Sequence, residues 1–103
     1  DIVLEGTAKF SRDKLRSFDQ IGRYGGEEFL IILPDTNIDQ AYKLINQIRI
    51  ELSQKKWKIN NLIVTFSGGL SETRFDDSED GFDLLKRADE LLYKAKNSGR
   101  NKI

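Results

Sequence analysis

Cysteine, histidine and methionine are absent from this 103-residue chain, which has one proline and one tryptophan. Without cysteine there are no disulfides, thiolate metal sites or cysteine nucleophiles. Without histidine there is no imidazole ligand and no triad built on a histidine base. Any metal must be held by carboxylates, carbonyls and water, which points to Mg²⁺ or a similar hard cation. Charge of one sign is missing too, since 17 basic residues balance 17 acidic ones. That balance argues against non-specific nucleic-acid binding, which needs a basic surface. No apolar run approaches the roughly 20 residues that span a bilayer, and no signal peptide leads the chain. The expectation is one soluble domain over residues 1–103, cytoplasmic, with a modest core and no membrane contact. The chain opens on Asp1, without Met, directly into helix-like periodicity, and reads as a piece of something longer.

What is present has a clear order. Ile2, Leu4, Ala8 and Leu15 suit one helical face, predicting a helix from Asp1 to about Ser17, although Gly6 costs about 1 kcal/mol relative to Ala. Ile21–Tyr24 and Phe29–Leu33 are short apolar runs joined by Gly25-Gly26-Glu27-Glu28, a hairpin signal. Pro34-Asp35-Thr36-Asn37 ends the second run, with Thr36 or Asn37 capping the next helix. Ala41, Leu44, Ile45, Ile48 and Leu52 make that helix amphipathic to about Gln54. Leu62–Phe66 reads as a buried strand continuing through Gly68-Gly69, and Arg74–Gly81 as a solvated acidic loop. Leu84, Leu85, Ala88, Leu91, Leu92 and Ala95 stripe a last helix that Gly99 stops. Helices packed on a mainly antiparallel sheet, an α+β arrangement, follow from this order.

Three places can carry chemistry. Glu27 and Glu28, projecting from opposite faces of an extended segment, can take different roles beside two glycines that admit a close ligand. Such carboxylates suit Mg²⁺ and its nucleotide phosphates, although composition alone favours a solvated acidic hairpin tip. Lys96 and Arg100, four apart at the end of the last helix, can grip phosphate oxygens, or can simply be cations favoured by the helix dipole. Arg16 and Asp19 can form an intrahelical salt bridge or a site for a ligand with both phosphate and guanine edges.

Together these segments resemble one family. R-S-F-D-Q-I-G-R-Y-G-G-E-E-F, Arg16 to Phe29, is similar to the signature of GGDEF domains, the diguanylate cyclases. K-R-A-D-E-L-L-Y-K-A-K-N-S-G-R-N, Lys86 to Asn101, is similar to their closing helix, with L-P-D-T (Leu33–Thr36) and V-T-F-S-G-G (Val64–Gly69) between. The resemblance implies a nucleotide-cyclase or palm-like fold with a ferredoxin-like core. It implies condensation of two GTP into cyclic di-GMP, a bacterial second messenger, across two domains meeting face to face as a homodimer. By resemblance Glu27 is a Mg²⁺ (or Mn²⁺) ligand and Glu28 a second metal or proton-handling carboxylate, both catalytic. Gly25 and Gly26 let the turn lie against the nucleotide, Lys96 and Arg100 hold its terminal phosphates, and Asp1 reads guanine. Arg16 and Asp19 match the RxxD site where product inhibits, and Arg23 matches an arginine to which no role is given.

Three departures qualify the resemblance. The family's opening strand and helix, with further metal and guanine ligands, are missing, so these 103 residues alone are expected to be inactive and to pair unusually through exposed sheet edges. Gln47 stands near where an arginine commonly completes the inhibitory site. Gly68 replaces a bulky apolar residue and is expected to loosen packing. Two other readings stay open: a non-catalytic cyclic di-GMP receptor binding through Arg16 and Asp19, and an interaction module that passes signals to an attached partner domain without binding nucleotide.

Overall fold

A computed structural model describes residues 2–103, and the chain divides into two compact units, Asp1–Thr36 and Asn37–Ile103. The first holds helix α1 (Ile2–Lys14) and strands β1 (Gln20–Gly25) and β2 (Glu28–Ile32); the second holds helices α2 (Ile38–Gln54) and α3 (Phe82–Asn97). Helices with an antiparallel sheet make the architecture α+β, as the sequence implies.

α1 forms through Gly6 but stops at Lys14, short of Ser17. The Asp19 carboxylate takes the Arg16 N–H at 2.8 Å, a local side-chain bond that competes with another helical turn. β1 and β2 pair antiparallel from Gln20↔Ile32 to Gly25↔Glu28, with the register slipping between Arg23 and Gly25. Tyr24 is therefore an extra residue, a bulge beside the turn.

α2 begins with a capping box. Asn37 accepts the Gln40 N–H at 2.9 Å and donates its own to Gln40 Oε1 at 3.3 Å, so Asn37 rather than Thr36 is the cap. Ala41, Ile45, Ile48 and Leu52 are buried along one face, as the periodicity predicts. α3 buries Ala95, whereas Leu91, at the edge of the predicted stripe, is 42% exposed.

The expected strand at Leu62–Phe66 is corrected. Its exposure alternates with period two, but the sheet of the described residues has only β1 and β2. Alternation reflects an extended backbone with two unlike sides; it does not supply a neighbouring strand to bond. The segment is held at its far end instead. Gly68 donates its N–H to Lys102 O (2.9 Å), Asn101 donates its own to Ser67 Oγ (3.0 Å), and Ser71 donates its hydroxyl to Leu84 O (2.6 Å). Packing at Gly68 is not loose: a Cβ there would stand 3.0 Å from the Ile103 side chain.

The acidic loop also has structural work. Arg87 grips the Asp77 carboxylate with both terminal nitrogens, at 2.6 and 2.8 Å, and Asp80 accepts the Phe82 N–H at 2.9 Å at the start of α3.

Gly69 lies directly against the backbone of α3. A Cβ there would lie 2.1 Å from Ala88 O and 2.3 Å from Leu92 N, both backbone atoms of α3. Gly69→Ala is expected to destabilise the protein by about 1–3 kcal/mol or more. Gly22→Ala, at a position with nothing within 4 Å, serves as the control and is expected to be neutral or up to about 1 kcal/mol stabilising. Equal denaturation midpoints for the two variants would contradict this.

Candidate functional site

The hairpin loop consists of Gly26 and Glu27, between the end of β1 and Glu28 at the start of β2. Gly26 has φ 49°, and Glu27 is absent from the left-handed residues, the pattern of a tight turn with glycine at its first central position. Glu27 thus lies in the turn, and only Glu28 is in the strand, so strand alternation does not set their relative direction. Glu27 is exposed and Glu28 half-buried. A Cβ on Gly25 or Gly26 would meet nothing within 4 Å, leaving the turn backbone open to a ligand.

Arg23 holds this turn, a role that sequence reasoning missed. Its Nε and a terminal nitrogen donate to Gly26 O at 2.8 and 2.6 Å. The spacing of three residues around a glycine turn was the available signal.

Among the described residues no group of three or more Asp, Glu, His or Cys converges. The donor set at the turn is a carboxylate pair beside open backbone. That suits Mg²⁺ or Mn²⁺, which accept one or two carboxylates and complete the shell with phosphates and water.

Arg16 and Asp19 lie beyond the end of α1, so the expected intrahelical bridge is corrected to a fork across a turn. Arg16 Nε meets Asp19 Oδ2 at 2.9 Å and a terminal nitrogen meets Oδ1 at 2.8 Å, while that nitrogen also donates to Thr36 Oγ1 at 2.6 Å. The Asp19 side chain is fully buried and that of Arg16 is 40% exposed. The guanidinium also lies 4.7 Å from the Phe18 ring centroid, and Arg12 donates to the backbone carbonyls of Arg16 and Asp19. Bonding to Arg16 holds the Asp19 carboxyl below the usual carboxylate range, outweighing its desolvation.

In the second unit Lys96 is half-buried in the last turn of α3, and Arg100 lies past its end. Gly99 is left-handed at φ 116°, and Arg100 returns its N–H to Ala95 O at 3.0 Å, the longer bond of a Schellman ending. Arg100 is itself left-handed at φ 61°, so it does not stack one helical turn above Lys96. The turn carboxylates and the Arg16–Asp19 fork belong to the first unit, and the two cations to the second. Asp1 lies outside the described residues.

Comparison with known proteins fixes the lineage. The sequence model of the family described as "Diguanylate cyclase, GGDEF domain" matches residues 1–102. The chain belongs to the GGDEF family. It is 37% identical to diguanylate cyclase A of Treponema denticola and 40% identical to the response regulator PleD of Caulobacter vibrioides, over its whole length. It spans only 28% and 23% of those proteins. Among solved structures it resembles the active GGEEF domain of a diguanylate cyclase from Vibrio cholerae, with TM-score 0.91 and 34% identity, covering 99% of this chain and 65% of that one. It also resembles the GGDEF domain of DgcB from Caulobacter crescentus in complex with c-di-GMP, with TM-score 0.88 and 29% identity over 98% of this chain and 61% of that one. The GGDEF signature occupies Gly25–Phe29 here, in its glutamate form. No helix of the described residues is long and apolar enough to cross a membrane.

The depressed Asp19 carboxyl gives a pH prediction. A carboxyl lowered on folding stabilises above its unfolded value, about 3.9, and that contribution is lost as pH falls through the lower folded value. Asp19→Asn is expected to destabilise the GGDEF chain at neutral pH, with the gap from wild type constant down to about pH 4 and narrowing below it. Urea midpoints across that range would test it, and a gap unchanged to the lowest pH would refute it.

Proposed function

We propose that this chain supplies the GTP-condensing machinery of a bacterial diguanylate cyclase, working in the cytoplasm where GTP is available. The observation that carries the reading is the open Gly25-Gly26-Glu27-Glu28 turn, with its carboxylate pair, in a chain of the GGDEF family. In this reading Gly25 and Gly26 let the nucleotide lie against the turn, and Arg23 fixes the turn's shape. Glu27 would hold Mg²⁺ or Mn²⁺, which when bound neutralises charge on the phosphates, with Glu28 beside it as a second ligand or as the carboxylate that handles a proton. Lys96, a point charge, and Arg100, a planar fork, take the terminal phosphates. Asp1 reads the guanine edge by resemblance.

Each of two domains holds one GTP, and the 3′-hydroxyl of each nucleotide attacks the α-phosphate of the other, releasing pyrophosphate. Such phosphoryl transfer needs positioning and charge neutralisation more than covalent chemistry from the protein. The hydroxyl proton passes to a nearby carboxylate, and Glu28 is the proposed acceptor. Cyclic di-GMP then binds at Arg16 and Asp19. With the Asp19 carboxylate buried in the fork, Arg16 is the member a ligand meets first, and Asp19 holds it ready. An attached sensor domain would supply the input.

In the full-length parent protein with GTP and Mg²⁺, cyclic di-GMP is the expected product, and Glu27→Ala is expected to remove at least about a hundredfold of the activity. Residues 1–103 alone are expected to produce none, since the solved Vibrio cholerae domain extends well beyond the matched part. A parent protein that makes no product yet binds cyclic di-GMP, and loses that binding on Arg16→Ala, would replace the cyclase by a receptor.

A further inference from the structure

Arg100 begins where regular structure ends, yet the backbone of Arg100 and Asn101 is tied to three segments. Its own N–H returns to Ala95 O of α3. The next residue, Asn101, also left-handed at φ 46°, donates its N–H to Ser67 Oγ. One terminal nitrogen of Arg49, on α2, donates to both Asn101 O (3.1 Å) and Asn101 Oδ1 (2.9 Å). Arg49 is half-buried on the turn that carries Ile48, which is 2% exposed, and its Nε is held by Asn46 Oδ1 at 2.8 Å. The arginine is therefore oriented from its own helix before it reaches across to the chain end. Left-handed non-glycine residues are disfavoured, and two in succession persist only where surrounding bonds fix them.

We propose that Arg49 is a positioning residue for nucleotide binding: through Asn101 it sets the backbone from which the Arg100 guanidinium reaches the terminal phosphates of GTP. This rests on the phosphate role given to Arg100 above. Arg49 touches no phosphate itself. A fork of donors recognises phosphate by direction as well as charge, so a loosened Arg100 keeps its charge and loses its geometry.

The test uses the full-length protein and calorimetric binding of a non-reacting α,β-methylene analogue of GTP and of GMP, both with Mg²⁺. Arg100→Ala is expected to weaken the triphosphate analogue by about ten- to hundredfold, as expected for a lost charged hydrogen bond. Arg49→Ala is expected to weaken it by about three- to tenfold, leave GMP unchanged, and add nothing in the Arg100→Ala background, as coupled residues do. Arg49→Lys, with a single cationic donor head, is expected to recover part of the loss. Asn101→Gly, which accepts the left-handed backbone but removes Oδ1, is expected to lose in the same direction and carries the test if Arg49→Ala fails to fold. An unchanged analogue affinity in Arg49→Ala, equal losses for GMP and analogue, or additive losses with Arg100→Ala would overturn the proposal while leaving the phosphate role of Arg100 intact. No loss in Arg100→Ala would overturn that role, and this proposal with it.

Discussion

The backbone of Gly69 lies against α3 so closely that any side chain at that position would occupy the space of Ala88 O and Leu92 N. Dense packing normally comes from interdigitated side chains, but here main chain meets main chain. That contact sets where α3 runs, and the chain end beyond the helix depends on it. The bonds from the Gly68 N–H to Lys102 O and from the Asn101 N–H to Ser67 Oγ need the helix end, with its left-handed pair Arg100-Asn101, beside residues 67–68. Gly68 serves the same junction, since Ile103 fills the space a larger residue would take.

Few apolar side chains among the described residues are fully enclosed; Ile48 and Leu52 of α2 are the large ones. Segment ends are therefore tied by polar groups, and two carboxylates show the pattern. Asp19 is buried and held by Arg16 and by the backbone of the turn. Asp77, held by Arg87 and the Arg74 N–H, has its carboxyl lowered to about 2. In both, an arginine fork and a backbone N–H hold one carboxylate, so a single acidic side chain fixes both a loop and its connection to other residues.

The regular elements were legible because their signals are local. The α2 stripe, the glycine hairpin and the Gly99 stop each depend on residues within a turn or two of one another and are found where spacing places them, and the cap of α2 falls on Asn37, one of the two residues the sequence offered. The misreadings share a different cause. The 62–66 strand needed a neighbour, which periodicity cannot supply. The Arg16–Asp19 pair has helical spacing, but its own side chain–backbone bond ends the helix that spacing assumed. The acidic loop is largely exposed, as read, but the grip of Arg87 on Asp77 went unseen because the two lie ten residues apart. Glu27, Glu28, Lys96 and Arg100 stood out by residue type and spacing, and the family motifs gave them roles; Arg23 carried a weaker local signal, and the bond from Arg49 to Asn101 spans 52 residues, beyond any local pattern.

The acidic and cationic residues proposed to meet nucleotide are supported in different ways. Glu27 lies in a two-residue turn and Glu28 in the strand it opens; Arg23, three residues from the carbonyl it clamps, holds that turn from within, so it keeps its shape through local bonds. The cationic end is tied over long range, from Arg49 to Asn101 across 52 residues and from Ser67 across 34. A local clamp leaves the Glu27 tip free to adjust as a unit, whereas a long-range tie holds Arg100 to the body of its own unit. That division suits the chemistry: Mg²⁺ takes one or two carboxylates and fills the rest of its shell with water and phosphate, while a guanidinium fork must be aimed.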